Sequence, residues 1–524
     1  MRRPLRGAAG NFAMTRFGWR MELAENLLKQ ILTARVYDVA QRTPLDEAMN
    51  LSGAFDNSIL LKREDLQPAF SCKIRGSYNK ITHLSPAERK KGVICASAGN
   101  HAQGVALSAQ KLSIPATVVM PVTTPQIKVK AVEQLGAEVI LAGDSYSEAE
   151  AHCRELLAQT DRTFIHPFDD PLIIAGQGTV AREILEQCPD VDLVFCPIGG
   201  GGLIAGVAGF IKALRPEAKI IGVQPEDSSA MAQSLAAGER VALKEIGLFA
   251  DGVAVKQVGV LMFQLVGAFV DEIVKVSTDQ ICSAIKRIYE DTRSIMEPAG
   301  ALAVAGLKKY LPERGVKGKK LVAINSGANM NFDRQQFVAE RTLTGEQREA
   351  LFSVTIPEKP GSLRFFCENV VWDHSITEVN YRLSGRAAAH IYVGVSISHG
   401  GERRGFQKLM SDLGFENIDL TDNDLAKTHI RHMVGGKSPE LRGEVLYRFE
   451  FPERPQALAN FLGAMSESWN ISLFHYRMNG GIFGRVLVGF EIPKGDEDKF
   501  EAFLDKLHYG YAEETGNPAY RMFL

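Results

Sequence analysis

Short apolar runs and helix-period stretches alternate along the first two-thirds of the chain. The runs are Ile59–Lys62, Val93–Ala96, Ala116–Met120, Glu138–Ala142, Leu193–Cys196, Lys219–Val223 and Leu321–Asn325. Between them, His101–Leu112, Gln126–Leu135, Ser145–Gln159, Ala175–Glu186 and Leu203–Leu214 carry apolar residues at helical spacing, and a further helix begins near Gly76. Leu23–Ala48 also reads as helical, leading to Thr43-Pro44-Leu45. Runs this short predict strands. Their alternation with helices predicts an α/β architecture, parallel sheet flanked by helices on both faces. In such sheets ligands gather at the carboxyl ends of the strands. Lys73, Asn100, the loop Gly199–Gly202 and Ser326 all follow predicted strands, so the fold can bring them together.

The pattern changes near Thr342-Leu343-Thr344-Gly345-Glu346. Beyond it the chain repeats itself at a constant offset of 95 residues. Leu351-Phe352 matches Leu446-Tyr447, Pro357-Glu358-Lys359-Pro360 matches Pro452-Glu453-Arg454-Pro455, and Leu363 and Phe366 match Leu458 and Phe461. Tyr381-Arg382 matches Tyr476-Arg477, and Val393-Gly394 matches Val488-Gly489. Each copy reads strand, turn, helix, strand, strand, helix, and resembles the ferredoxin-like ACT module, a binder of small amino acids. The expected organisation is a disordered extension over 1–22, a catalytic domain over 23–343, and two ACT-like α+β subdomains over 350–423 and 445–517.

Composition narrows the class. A chain of 524 residues accommodates three or four domains. Sixty Lys+Arg balance 62 Asp+Glu, which gives no footprint for nucleic acid. No apolar run approaches the ~20 residues that span a bilayer, so no membrane partner is expected. The seven cysteines form no C-x-x-C pair and fit a reducing cytoplasm. Arg2, Arg3, Arg6, Arg16 and Arg20 stand in an N-terminal stretch without acidic residues. It reads as an extension in preference to an organelle transit peptide, being short and nearly free of serine.

Three segments carry candidate chemistry. Ser71-Cys72-Lys73-Ile74-Arg75-Gly76 sets a lysine among small residues. Ser97-Ala98-Gly99-Asn100-His101 and Gly199-Gly200-Gly201-Gly202-Leu203 each lie between a predicted strand and a predicted helix. Successive glycines at a helix start let backbone N–H groups converge on an anion, so the latter reads as a phosphate cup. It matches neither the dinucleotide fingerprint nor the Walker loop. Taken singly, a lysine is most often a solvated surface group and a glycine run a flexible turn. The ordered combination carries the reading.

Together with Ser326-Gly327-Ala328-Asn329, these segments resemble in their order the fold type II (tryptophan-synthase-β-like) pyridoxal-phosphate enzymes, and jointly the biosynthetic threonine dehydratases. The resemblance runs from about Ile31 to the end of the chain. It implies that Lys73 holds pyridoxal 5'-phosphate as a Schiff base and takes the substrate's α-proton. Gly199, Gly200, Gly201, Gly202 and Leu203 would bind the cofactor phosphate, with Arg75 an alternative partner. Asn100 would bond the 3′-oxygen, and Ser97, Gly99, Asn100 and His101 would receive the substrate carboxylate. Ser326 would face the pyridine nitrogen with a neutral hydroxyl, which suits elimination over a long-lived carbanion. No metal is implied.

The implied reaction converts L-threonine, with L-serine an alternative substrate, to a 2-oxo acid and ammonia. For threonine this is 2-oxobutanoate, the committed step toward isoleucine. The resemblance further implies a homotetramer, inhibited by isoleucine and activated by valine through the repeats, with effectors near Tyr381 and Tyr476. Ala98 stands where related racemases carry a catalytic serine, which argues against racemisation. Cys72 stands where many relatives have an aromatic residue. Glu297-Pro298-Ala299-Gly300 also matches, with Glu297 near the site and without an assigned role. The alternatives are a catabolic-type serine or threonine dehydratase, a threonine synthase, and a non-catalytic amino-acid sensor. The double repeat favours the biosynthetic dehydratase, and the intact Lys73, Asn100, glycine loop and Ser326 disfavour the sensor.

Overall fold

The computed structural model describes residues 22–523 apart from 358–364, 367–368, 372–373, 375, 384–387, 431–443, 453–460, 462–463, 467–468 and 478–482. The expected extension over 1–22 therefore lies outside the described residues except for Glu22, as do the turns expected after Pro357 and Pro452 in the two repeats. The chain forms two compact units, one ending at Met330 and the other beginning at Asn331.

The first unit holds two sheets. Strands β1 (Leu45–Glu47), β2 (Ser58–Arg63), β7 (Leu193–Pro197), β8 (Lys219–Pro225), β9 (Glu272–Val276) and β10 (Lys320–Asn325) form one, in the order β1-β2-β10-β7-β8-β9. All its pairings are parallel except β1 with β2. Strands β3 (Val93–Ala96), β4 (Ala116–Met120), β5 (Glu138–Leu141) and β6 (Thr163–Phe164) form a second, all-parallel sheet in the order β5-β4-β3-β6. β3, β4 and β7 are buried along their whole length, as helices on both faces of a parallel sheet require. The core of the larger sheet gathers Val194, Ile204, Val207, Ile220 and Val322.

Leu23–Ala48 departs from its expected helix. Only residues 22–32 are helical; the chain then runs irregularly into β1. Its backbone trades internal bonds for partners elsewhere: Arg35 N donates to Asn79 Oδ1 at 2.8 Å, Gln41 N to Gln67 Oε1 at 2.9 Å, and Thr43 N to Glu183 Oε2 at 3.2 Å. Pro44 cannot donate and bars a continuing helix.

The second unit contains the repeat. Its first copy holds β11 (Glu349–Pro357), β12 (Ile376–Leu383), β13 (Ala388–Ser396), a helix Glu402–Asp412 and β14 (Glu416–Asp419), in the sheet order β12-β13-β11-β14. Its second holds β15 (Glu444–Pro452), β16 (Asn470–Arg477), β17 (Phe483–Glu491), a helix Glu497–Leu507 and β18 (Gly510–Glu513), in the matching order β16-β17-β15-β18. Both sheets are antiparallel, and both carry a register shift in the same place, between Ile376 and Glu378 and between Ile471 and Leu473. The fourth strand of each copy, absent from the expected pattern, is short and has no buried residue. An apolar cluster of Leu351, Tyr392, Leu420, Leu446, Leu487 and Phe523 joins the copies. Beside it Asp424 accepts from Arg341, on the helix Arg334–Gly345, and from Arg485 at 3.1 Å; Arg448 lies 3.6 Å away. Among the described residues, no helix is long and apolar enough to cross a membrane.

Candidate active site

The helix Lys73–Thr82 is wedged between its neighbours by two close backbone approaches. A Cβ on Gly104, in the helix Asn100–Leu112, would stand 3.2 Å from the Lys73 carbonyl carbon. A Cβ on Gly176, in the helix Pro171–Gln187, would stand 2.5 Å from the Arg75 carbonyl oxygen. The loop ahead of Lys73 is stitched to the loop after β10. Ser71 bridges Gly327, Cys72 N donates to the Ser326 carbonyl at 3.0 Å, and Ala328 N donates to the Phe70 carbonyl at 2.9 Å. Two segments some 250 residues apart in sequence thus hold one another in place.

Lys73, Asn100, Gly199, Gly200, Gly201, Gly202, Leu203 and Ser326 line one cleft, with about 430 Å³ of space including its mouth. Gly201 adopts φ 104°, a left-handed conformation that glycine tolerates, and caps the start of the helix Gly202–Leu214. A Cβ on Gly200 would overlap the Phe168 ring at 2.2 Å. The loop therefore presents bare backbone N–H groups at a helix start, where an anion is favoured. Phe168 is itself positioned: its N–H and that of Asp169 donate to His166 Nδ1 at 3.1 and 2.8 Å. Sequence reasoning missed Phe168 and Val253 as lining residues, because nothing in their local pattern marks them; Ala299 stands in the matched segment Glu297–Gly300 but had been given no place in the site.

Ser97, Gly99 and His101 share the loop and helix start of Asn100 without lining the cleft. The His101 ring is buried, and its Nε2 donates to the Ile165 carbonyl at 2.8 Å. Burial, aided by Lys73, lowers its pKa to about 3, so the ring is neutral and structural. His101 can offer the cleft only its backbone.

Arg75, considered as a phosphate partner, is fully buried and turned elsewhere. Its guanidinium pairs with Glu64 at 2.7 Å and Glu183 at 2.6 Å, and Lys62 Nζ meets Glu183 at 2.7 Å. Two carboxylates against two cations satisfy one another in a low-dielectric site, leaving Arg75 no charge to spare for the cleft. Cys72 is buried as well, and burial pushes its thiol up to about 11, away from the reactive thiolate.

Glu297 also lines the cleft. Burial, reinforced by the charge of Asp251, raises its carboxyl to about 7. Asp251 is paired with Lys128 at 3.0 Å.

An amine, a backbone anion cup, a side-chain amide and a hydroxyl in one cleft fit an aldehyde-bearing phosphate ester of a pyridine. Fold and cleft define a pyridoxal-phosphate dependent enzyme, and that family's model matches residues 36–327. The model for the C-terminal regulatory domain of threonine dehydratase matches 340–430 and again 436–524. The chain is 55% identical over 505 residues to L-threonine dehydratase biosynthetic IlvA of Burkholderia multivorans, covering 96% of this chain and 99% of that protein. It is 48% identical to its Escherichia coli namesake over 498 residues, 95% and 96% of the two chains. The solved structure of the processed form of threonine deaminase isoform 2 from Solanum lycopersicum superposes with a TM-score of 0.60 at 48% identity, over 61% of this chain and 93% of that one. The chain belongs to the biosynthetic threonine dehydratase family.

Proposed function

We propose that this enzyme deaminates L-threonine to 2-oxobutanoate and ammonia, and that isoleucine and valine control it through the C-terminal repeats. The observation that supports this most directly is the convergence of Lys73, Asn100, the glycine cup and Ser326 in one cleft, on a chain that matches biosynthetic dehydratases over nearly its whole length.

Each group has a role its chemistry allows. Lys73 would hold the cofactor through its amine, and an amine at that place can take the substrate's α-proton. The N–H groups from Gly199 to Leu203 hold the cofactor phosphate. Asn100 would bond the cofactor's 3′-oxygen, and Ser326 would offer its ring nitrogen a neutral hydroxyl. The backbone from Ser97 to His101 receives the substrate carboxylate. When bound, pyridoxal phosphate takes up the electron pair left by α-proton removal. The β-hydroxyl departs as water, and the released enamine is hydrolysed to the 2-oxo acid and ammonia. L-serine, one methyl smaller, is the expected second substrate.

The proposed domain limits follow the repeat: catalytic to about residue 343, then two ACT-like copies over 350–423 and 445–517. Tyr381 lies opposite Ile391 in its sheet and Tyr476 opposite Val486, equivalent places in the two copies. Their side chains fall outside the described residues. Effector pockets near them, in a homotetramer, are the regulatory half of the proposal. A cytoplasmic setting accords with six buried thiols among the described residues.

One cuvette tests both halves. The purified protein should show a visible cofactor band that Lys73→Ala abolishes, form 2-oxobutanoate from L-threonine, and slow when isoleucine is added. Turnover without an isoleucine effect removes the regulatory half. No band after reconstitution with pyridoxal phosphate removes the catalytic half.

A further inference from the structure

Asn329 ends the motif that begins at Ser326, and Glu297 opens the helix Pro298–Arg314. Neither has a role in the reaction described above. The structure sets them on two sides of Asn100. Asn329 Nδ2 donates to the Ala69 carbonyl at 2.8 Å and to Asn100 Oδ1 at 2.7 Å. Asn100 Nδ2 donates to Glu297 Oε1 at 2.5 Å.

These bonds decide which way the Asn100 amide faces. The two ends of a side-chain amide are alike in shape and opposite in hydrogen-bonding sense. A backbone carbonyl only accepts, so the Asn329 atom against Ala69 is nitrogen. That nitrogen also meets Asn100, whose atom there must be oxygen. The Asn100 nitrogen therefore faces Glu297, and the carboxyl oxygen accepts from it. The assignment starts from a group with one possible role and leaves no free choice along the way.

We propose that Asn329 and Glu297 are positioning residues that lock the Asn100 amide in one sense, so that its remaining N–H, and never its carbonyl, meets the 3′-oxygen of bound pyridoxal phosphate. This rests on the pairing of Asn100 with that oxygen proposed above. An N–H donor stabilises the oxygen as an anion, whereas a carbonyl would require it protonated. The lock thus acts on the charge state of the cofactor.

The surroundings are built for it. Glu297 is only 4% exposed, so water does not compete for its carboxyl. A Cβ on Gly327 would stand 2.6 Å from Glu297 Oε1 and 3.3 Å from Asn100 Nδ2, so glycine there makes the room. The charged groups around the carboxyl are Asp251, Lys128 and Lys73. Protonated or not, the carboxyl keeps an oxygen that accepts from Asn100.

The test compares cofactor dissociation constant and visible absorption maximum in the full-length, cofactor-loaded protein. Asn100→Ala should weaken cofactor binding about tenfold, the worth of a charged hydrogen bond, and shift the band. Asn329→Asp cannot donate to the Asn100 carbonyl, so the amide turns over; the same loss and shift are expected. Glu297→Ala should behave alike, and Glu297→Gln, whose amide oxygen still accepts, should return within about twofold of the parent. The proposal is overturned if Asn329→Asp and Glu297→Ala keep the parent's affinity and band while Asn100→Ala loses both. It is overturned equally if Glu297→Gln is as impaired as Glu297→Ala. If Asn100→Ala changes nothing, the pairing of Asn100 with the cofactor falls, and the lock with it.

Discussion

Glu297 keeps its proton into the neutral range because its carboxyl is shut off from water and faces Asp251. The folded value near 7 lies above the ordinary 4.5 of the unfolded chain. Below about pH 4.5 both states are protonated and nothing is lost. Between 4.5 and 7 the folded chain holds a proton that the unfolded chain has released, so stability falls as pH rises through that window. In cofactor-free protein the Glu297→Gln variant should flatten this slope, a difference on the order of 3 kcal/mol between pH 4.5 and 8. Urea unfolding at the two pH values measures it; parallel profiles for parent and variant would count against a raised carboxyl. At this scale the sequence was readable where a residue acts through its own motif. Lys73 and the glycine loop stand in segments whose order marks them. Arg75 shares the lysine's segment and could be read either as a phosphate partner or as a structural charge. What removes it from the cleft is Glu183, 108 residues away on another helix, and no local pattern announces that pairing.

Central strands were the most legible elements. Most strands found by pattern, such as β3, β4 and β7, are deeply buried, while β5, an edge strand with no buried residue, was found from its apolar run all the same. Those missed lie at edges: β1, β14 and β18 are short and have no buried residue. An edge strand owes its place to backbone pairing, which leaves little trace in side-chain polarity. The glycine cup is an element of the opposite kind, readable from composition yet dependent on a residue that was not. Gly200→Ala should drive its methyl into Phe168, whose ring would stand 2.2 Å away, and cofactor affinity should fall by about a hundredfold or more. Adding Phe168→Ala should recover much of the loss by making room. Equilibrium titration with pyridoxal phosphate reads both effects. A double variant no better than the single would show that Gly200 is needed for something other than clearance.

Across the whole molecule the repeat was the most legible feature, because a duplicated unit must bury the same positions twice. The offset of 95 residues found in the sequence recurs in the sheets, where Glu349–Pro357 answers Glu444–Pro452 and Ala388–Ser396 answers Phe483–Glu491. What the repeat could not reveal was how its copies are tied. Asp424 of the first copy draws in Arg341 from the preceding helix and Arg448 and Arg485 from the second. Burial opposes its charge, but the arginines prevail and hold the carboxyl well below its usual range. Asp424→Asn should leave three guanidinium groups without their shared partner and cost the regulatory unit on the order of 1–2 kcal/mol. A lower midpoint for that unit's thermal transition, with cofactor binding intact, is the expected result; an unchanged midpoint would mean the apolar cluster alone joins the copies.

The order of strands in the catalytic sheet also has a bearing on how the protein is made. β10 is the last strand of its unit to leave the ribosome, yet its place is in the middle, between β2 and β7. Until it arrives, the earlier strands have a gap where their hydrogen-bond partners should be, and the lysine loop has nothing to be stitched to. A nascent chain that stops short of Ser326 has no finished pocket for the vitamin-derived group. Loading must wait for a single late insertion, and a polypeptide cut off before it would expose two raw sheet edges that invite aggregation.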